Sequence, residues 1–167
     1  VPIIPPIPGI NGNNVYLASE VEEKGTDQLG DEIVILGGGL VGCETAIHLG
    51  KLGKKVTVVE MRSEAAADCN CFHKIAIGME LEKYVTVLTD TKAENITDKG
   101  LEGLDKDGNK IFVPADAVIC AAGMRSDTTV ADMVQKMEIE MYVIGDAVRP
   151  NKVTQAIFDG YYIAKYL

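Results

Sequence analysis

Residues Gly37-Gly38-Gly39-Leu40-Val41-Gly42 carry the sharpest chemical signal in the chain. Three of the glycines stand at the spacing G-x-G-x-x-G, directly after the apolar run Glu32-Ile33-Val34-Ile35-Leu36. If the turn leads into a helix, each position has a physical role. Gly37 permits a tight turn, Gly39 has no side chain to block a diphosphate, and Gly42 lets the helix pack close to the strand. The helix N-terminus then offers unpaired N–H groups and partial positive charge to phosphate. Gly38, Leu40 and Val41 complete the backbone that would line that contact. The plainer alternative is a strand–helix unit whose glycines serve packing alone.

The neighbouring elements decide how much the motif is worth. Val41, Thr45, Ile47, Leu49 and Leu52 supply a largely apolar helical segment, and Gly53 sits where a helix C-cap is expected. Lys55 to Glu60 is a second strand. Strand, helix and strand in about 30 residues make a βαβ unit. Glu60 ends its second strand. A carboxylate there would accept hydrogen bonds from adenosine ribose hydroxyls and repel a 2′-phosphate, which favours NAD(H) over NADP(H). Arg62 pulls the other way, because a nearby guanidinium could pair with a 2′-phosphate. A solvated loop charge is the bland reading of Arg62. Met61 lies between the two and belongs to the same candidate contact.

Further along, residues 61–70 read as loop. Phe72, Ile75, Ala76 and Met79 fall at helical spacing, as do Ile77, Leu81 and Tyr84, so a helix is predicted from about 70 to 83. Val85 to Leu88 is a strand candidate. Residues 92–96, 101–104 and 110–113 are short segments parted by turns, which suits antiparallel hairpins. Ala117 to Ala122 is another apolar strand, closed by Gly123. In the tail, 128–137 reads as short helix or loop, Met141 to Ile144 as a strand, and 154–166 as a helix with Val153, Ile157, Tyr161 and Ala164 on one stripe. The start differs: Pro2, Pro5, Pro6 and Pro8 favour an extended connector, with Val15 to Leu17 as a short strand.

Composition sets the outer bounds. At 167 residues the chain has room for one sizeable domain, or one domain and part of a second. A net charge of −9 gives no basic footprint for nucleic acid or anionic lipid. No apolar run reaches the roughly 18 residues of a membrane span. The four cysteines, Cys43, Cys69, Cys71 and Cys120, lack disulfide-framework spacing, which points to a reducing, cytoplasmic setting. Cys69, Cys71 and His73 do not match a common zinc pattern, and C-x-x-C is absent, so neither a metal site nor a redox dithiol is expected. Cys43 and Cys120 read as core, and His48 as structural. No nucleophile triad is present, and no catalytic side chain is assigned.

Beyond the glycine motif, several segments resemble one family in order. Pro5-Pro6-Ile7-Pro8-Gly9-Ile10 looks like a connector entering a second domain. Gly37 to Ala46 looks like an NAD(P) phosphate loop, including Glu44 just after the last glycine. Ala117 to Arg125 resembles the strand and turn that close such a domain. Tyr142-Val143-Ile144-Gly145-Asp146-Ala147 resembles a second FAD motif. Together they resemble the pyridine-nucleotide domain of flavoproteins with two dinucleotide-binding domains, the pyridine nucleotide-disulfide oxidoreductase superfamily. Gly145 to Pro150 with Ala156 to Gly160 look most like the NADH:flavin oxidoreductases of the 2-enoate reductase and 2,4-dienoyl-CoA reductase type.

That resemblance implies an α/β fold: a Rossmann-like parallel sheet with an antiparallel β-meander on one face. It implies a connector at 1–29, an NAD(P)-binding domain at 30–126 and a returning part of an FAD domain at 127–167. It places an old-yellow-enzyme barrel with FMN and an iron–sulfur cluster, and the first FAD motif, before Val1, so the chain is expected to be part of a larger enzyme and inactive alone. Ala122 and Gly123 would lie near the nicotinamide. Glu44 would contact the same end, or serve only as a first-turn acid favoured by the helix dipole. Gly145 and Asp146 would face the FAD ribityl chain, or Asp146 would cap the following helical region. The implied function is to bind NAD(H) and deliver hydride to a flavin, toward reduction of an activated C=C bond. Two other readings stand beside it: a disulfide reductase or NADH-oxidase-type flavoenzyme, and a catalytically silent dinucleotide-binding module. An oligomer is compatible with each.

Overall fold

The computed structural model describes residues 1–137 and 139–167, with residues 22 and 24 described by backbone alone. The chain forms two compact units: Ile4–Gly123, and Val1–Ile3 with Met124–Leu167.

In the larger unit, five strands form one parallel sheet: β1 (Val15–Leu17), β2 (Glu32–Leu36), β3 (Lys55–Val59), β4 (Val85–Leu88) and β8 (Ala117–Cys120). Their order is β1-β8-β2-β3-β4. The chain winds from β2 outward through helix α2 (Leu40–Lys51) to β3 and helix α3 (Cys71–Tyr84) to β4, then returns to the other side of β2 as β8. The order reverses beside β2, and such a switch point leaves a crevice at the carboxyl ends of the strands.

The sheet is buried on both faces, so its strands read as near-continuous apolar runs. Ile33, Ile35, Val56, Val58 and Ile119 face one way, against Ala46 and Leu49 of α2 and Ala18 and Val21 of α1 (Ala18–Lys24). Val34, Leu36, Val59 and Val118 face the other way, against Ala93, Ile96, Leu101 and Val113. Those last residues come from an antiparallel three-stranded sheet, β5 (Lys92–Thr97), β6 (Gly100–Leu104) and β7 (Lys110–Pro114). The expected meander is therefore present, on one face of a parallel sheet. Burying side chains of this size stabilises by roughly 1.5–3 kcal/mol each.

Helix α2 ends as its sequence suggests. Gly53 has φ +86°, and its N–H donates to Gly50 C=O at 3.0 Å while Lys54 N–H donates to Leu49 C=O at 3.1 Å. This pairing is a Schellman motif. Helix α3 begins at the Asn70 cap, whose side chain accepts the His73 N–H at 2.9 Å.

The helix predicted from about 70 to 83 forms as α3. Only one of the two apolar stripes of α3 turns inward: Ile77 and Leu81 are buried, whereas Phe72, Ile75 and Met79 are exposed. The inward stripe meets Cys43 and Ile47 of α2, and one helix face can occupy that contact. The strand expected at Met141 to Ile144 does not form. A strand needs a hydrogen-bonding neighbour, and the described residues of the smaller unit contain no named strand to pair with it. That unit has helices α4 (Thr129–Gln135) and α5 (Val153–Tyr166) and a 3-10 turn at Gly145–Ala147. The stripe Val153, Ile157, Tyr161 is on α5 and exposed. Among the described residues, no helix is long and apolar enough to cross a membrane.

Candidate functional site

The glycine turn sits at the carboxyl end of β2, and its geometry accounts for the glycines. Gly37 has φ +108°, a region that disfavours side chains. A Cβ on Gly42 would lie 2.0 Å from the Gly37 carbonyl oxygen, so α2 reaches the turn only because that position has no side chain. Gly39 is the helix N-cap, and its Cβ position opens toward a single neighbouring atom, Asp68 Oδ1, at 3.7 Å. This is a cradle that small residues keep clear, and it fits a diphosphate.

Parallel strands bring three segments to the same edge. Glu60 follows β3 directly and is buried, 8% exposed. Its Oε2 accepts the Gly38 N–H at 2.6 Å, and its Oε1 accepts the Arg62 N–H at 2.8 Å. The carboxylate is thus oriented by backbone, with one further acceptor direction on each oxygen. Ala122 and Gly123 follow β8, and the Ala122 Cα lies 3.3 Å from the Cβ position of Gly37. Glycine turn, acid and closing turn therefore share the edge where the strand order reverses.

The other candidates lie around this centre. Leu40 and Val41 open α2. Glu44 is exposed on the first turns of that helix, and its Oε1 is 3.8 Å from His73 Nε2. Met61 and Arg62 are exposed just beyond Glu60. Cys43 is fully buried, and its thiol donates to Gly38 C=O at 3.3 Å. Burial pushes that thiol up to about 11, which keeps it protonated and inert. Burial likewise raises the Cys120 thiol. The described residues contain no group of three or more His, Cys, Asp or Glu side chains able to hold a metal ion.

Over residues 1–160 the sequence matches the pyridine nucleotide-disulphide oxidoreductase family. The chain belongs to that family. An NADH oxidase of Thermoanaerobacter brockii is 30% identical, matching 98% of this chain and 26% of its own length. A cinnamate reductase of Clostridium sporogenes is 31% identical, matching 92% of this chain and 23% of its own length. A solved 2-naphthoyl-CoA reductase, in complex with 2-naphthoyl-CoA, superposes with a TM-score of 0.91 at 31% identity, covering 100% of this chain and 26% of that one. The chain thus spans about a quarter of the length of these relatives.

The segment that resembles a second FAD motif lies in the smaller unit. Gly145 has φ +59° and its N–H donates to Asp159 Oδ2 at 3.2 Å. Asp146 is exposed, and its Oδ1 accepts the Asn151 N–H at 3.2 Å, just ahead of α5. Asn151 precedes Lys152, the N-cap of α5, so Asp146 does not cap that helix.

Asp68 is the residue sequence reading passed over. It lies in the 61–70 loop, yet its Oδ1 accepts the Leu40 N–H at 3.0 Å, at the glycine turn. No spacing rule marks it, because a loop carboxylate far along the chain has no fixed offset from the turn it reaches.

Proposed function

We propose that residues 30–126 bind NAD(H) and present it to a flavin within a longer oxidoreductase, with residues 1–29 as connector and 127–167 as part of the flavin domain. The observation carrying this reading is the meeting of the glycine turn, Glu60 and the Ala122-Gly123 turn at one sheet edge. The diphosphate lies over Gly39 against the N–H groups of Leu40 and Val41. The remaining acceptor directions of Glu60 take the adenosine ribose hydroxyls and disfavour a 2′-phosphate. Met61 and Arg62 border the adenosine, and Arg62 is the residue through which NADP(H) would be accepted. Ala122, Gly123 and Glu44 border the nicotinamide end. When bound, the cofactor supplies the hydride; the protein's part is placement and shielding.

On the flavin side, Gly145 and Asp146 face the FAD ribityl chain, with Asp146 exchanging its Asn151 contact for a hydroxyl. FMN and an iron–sulfur cluster belong to a preceding barrel. The electrons go to an activated C=C bond, a choice supported by the names of the cinnamate and 2-naphthoyl-CoA reductases. The NADH oxidase among the relatives supports a second reading, in which the same nucleotide half serves oxygen or a disulfide as acceptor.

The test is anaerobic addition of NADH to the full-length, flavin-loaded protein. Bleaching of the flavin, followed by reoxidation with an aryl enoate such as cinnamate, is expected. Bleaching reversed only by oxygen or a disulfide would favour the second reading. A flavin that NADH leaves oxidised would mark a silent nucleotide-binding module.

A further inference from the structure

The Leu40 N–H has one hydrogen to donate, and in this structure Asp68 holds it. Asp68 Oδ1 lies 3.0 Å from the Leu40 nitrogen and 3.7 Å from where a Gly39 Cβ would project. A carboxylate therefore stands on the amide, and in the open space, assigned above to the diphosphate. Both cannot use them together: the donor is single, and two anions at that range repel.

The segment carrying Asp68 is pinned on both sides. Ala66 is buried against Cys43, Ile77 and Leu81, with φ +51°. Its N–H donates to Gly38 C=O at 2.7 Å, and its own carbonyl accepts the Cys69 N–H at 3.0 Å. Two residues beyond Asp68, Asn70 caps α3. Between these anchors Asp68 is exposed. Rotation about its side-chain bonds would carry the carboxylate out of the cradle without moving the Ala66 or Asn70 backbone.

We propose that Asp68 is an internal anion of the dinucleotide site: it caps α2 when the site is empty, and is displaced from the Leu40 N–H when a diphosphate binds. The inference rests on the nucleotide-binding reading and adds a competitor to it. Two effects of opposite sign follow. The contact stabilises the empty protein, as an acidic group at a helix N-terminus does. It also weakens ligand binding, because that contact must first be given up. A residue that only shapes the loop would move stability and affinity in the same direction.

The experiment is calorimetric titration of the full chain with NADH, comparing wild type, Asp68→Ala and Asp68→Asn, with a thermal melt of each ligand-free protein. Asp68→Ala is expected to melt lower yet bind NADH roughly tenfold more tightly. Asp68→Asn, which keeps an acceptor oxygen without the charge, should fall between on both measures. Wild-type binding that Asp68→Ala leaves unchanged or weakens would overturn the displacement while sparing the nucleotide site. Absence of NADH binding by folded wild type and folded variants alike would overturn both.

Discussion

Glu60 and Gly38 are joined by a hydrogen bond of 2.6 Å, carboxylate to backbone N–H, in a buried setting. The acid that would read the ribose is therefore also a structural part of the glycine turn. Glu60→Ala leaves the Gly38 N–H buried without its acceptor, at a cost of about 1–3 kcal/mol, measurable by urea unfolding. The same variant should bind NADH more weakly. Glu60→Gln keeps an acceptor oxygen, should lose less stability, and should narrow the preference for NADH over NADPH.

Close approach at Gly42 gives a sharper structural test. A methyl group there would meet the Gly37 carbonyl oxygen at 2.0 Å. Gly42→Ala must push α2 away from the turn, at roughly 1–3 kcal/mol for overpacking, and should abolish NADH binding. Gly53→Ala is the control. Its φ is +86° but nothing lies within 4 Å of its Cβ position, so only the left-handed backbone strain of about 1–2 kcal/mol applies, and NADH affinity should not change. Melting curves and titrations of the two variants separate these effects.

Much of this site was legible in the sequence, and the reasons are physical. Gly37, Gly39 and Gly42 and the acid at Glu60 have offsets fixed by a strand, a helix and a strand of standard length. The meander was legible because Asp98-Lys99-Gly100 and Asp105-Lys106-Asp107-Gly108 punctuate it. What could not be read depends on tertiary contact. Asp68 reaches Leu40 across a loop of no set geometry. Phe72, Ile75 and Met79 have the same periodicity as Ile77 and Leu81, and only packing on α2 chooses between the stripes. Met141 to Ile144 are apolar and strand-like, but composition cannot supply the neighbouring strand.

Acid should loosen the packing of α2 on α3. Glu80 on α3 receives Lys51 of α2 at 2.5 Å and Lys83 at 2.8 Å. Hydrogen bonds from those two lysines, Lys51 foremost, pull the Glu80 carboxyl from 4.5 to about 2. A carboxyl with a lowered folded value adds stability above its unfolded value and loses it as pH falls through the folded one. The contribution is therefore complete above about 4.5 and disappears toward about 2. Melting temperatures across that range should fall more steeply for wild type than for Glu80→Gln, and the two curves should meet at the acid end. Parallel curves would show that the lysine contacts contribute nothing.

Thiol reactivity should follow burial. Cys43 is fully buried with its thiol raised to about 11, and Cys120 is buried, whereas Cys71 is exposed at the start of α3. Brief iodoacetamide treatment of native protein at neutral pH should label Cys71 and spare Cys43 and Cys120, as read by peptide mass spectrometry. Denaturant should expose all of them. Early labelling of Cys43 would mean that α2 does not pack on the glycine turn as described.

The glycine turn, Glu60 and the Ala122-Gly123 turn form the proposed nucleotide site, with Glu60 as its ribose-reading acid. Calorimetric titration of the chain with NADH and with NADPH decides whether it is one. Saturable NADH binding is expected, with weaker binding of NADPH and marked loss of NADH affinity in Glu60→Ala. Tighter binding of NADPH would contradict the role given to Glu60 and move specificity to Arg62, and a folded sample that binds neither would contradict the site itself.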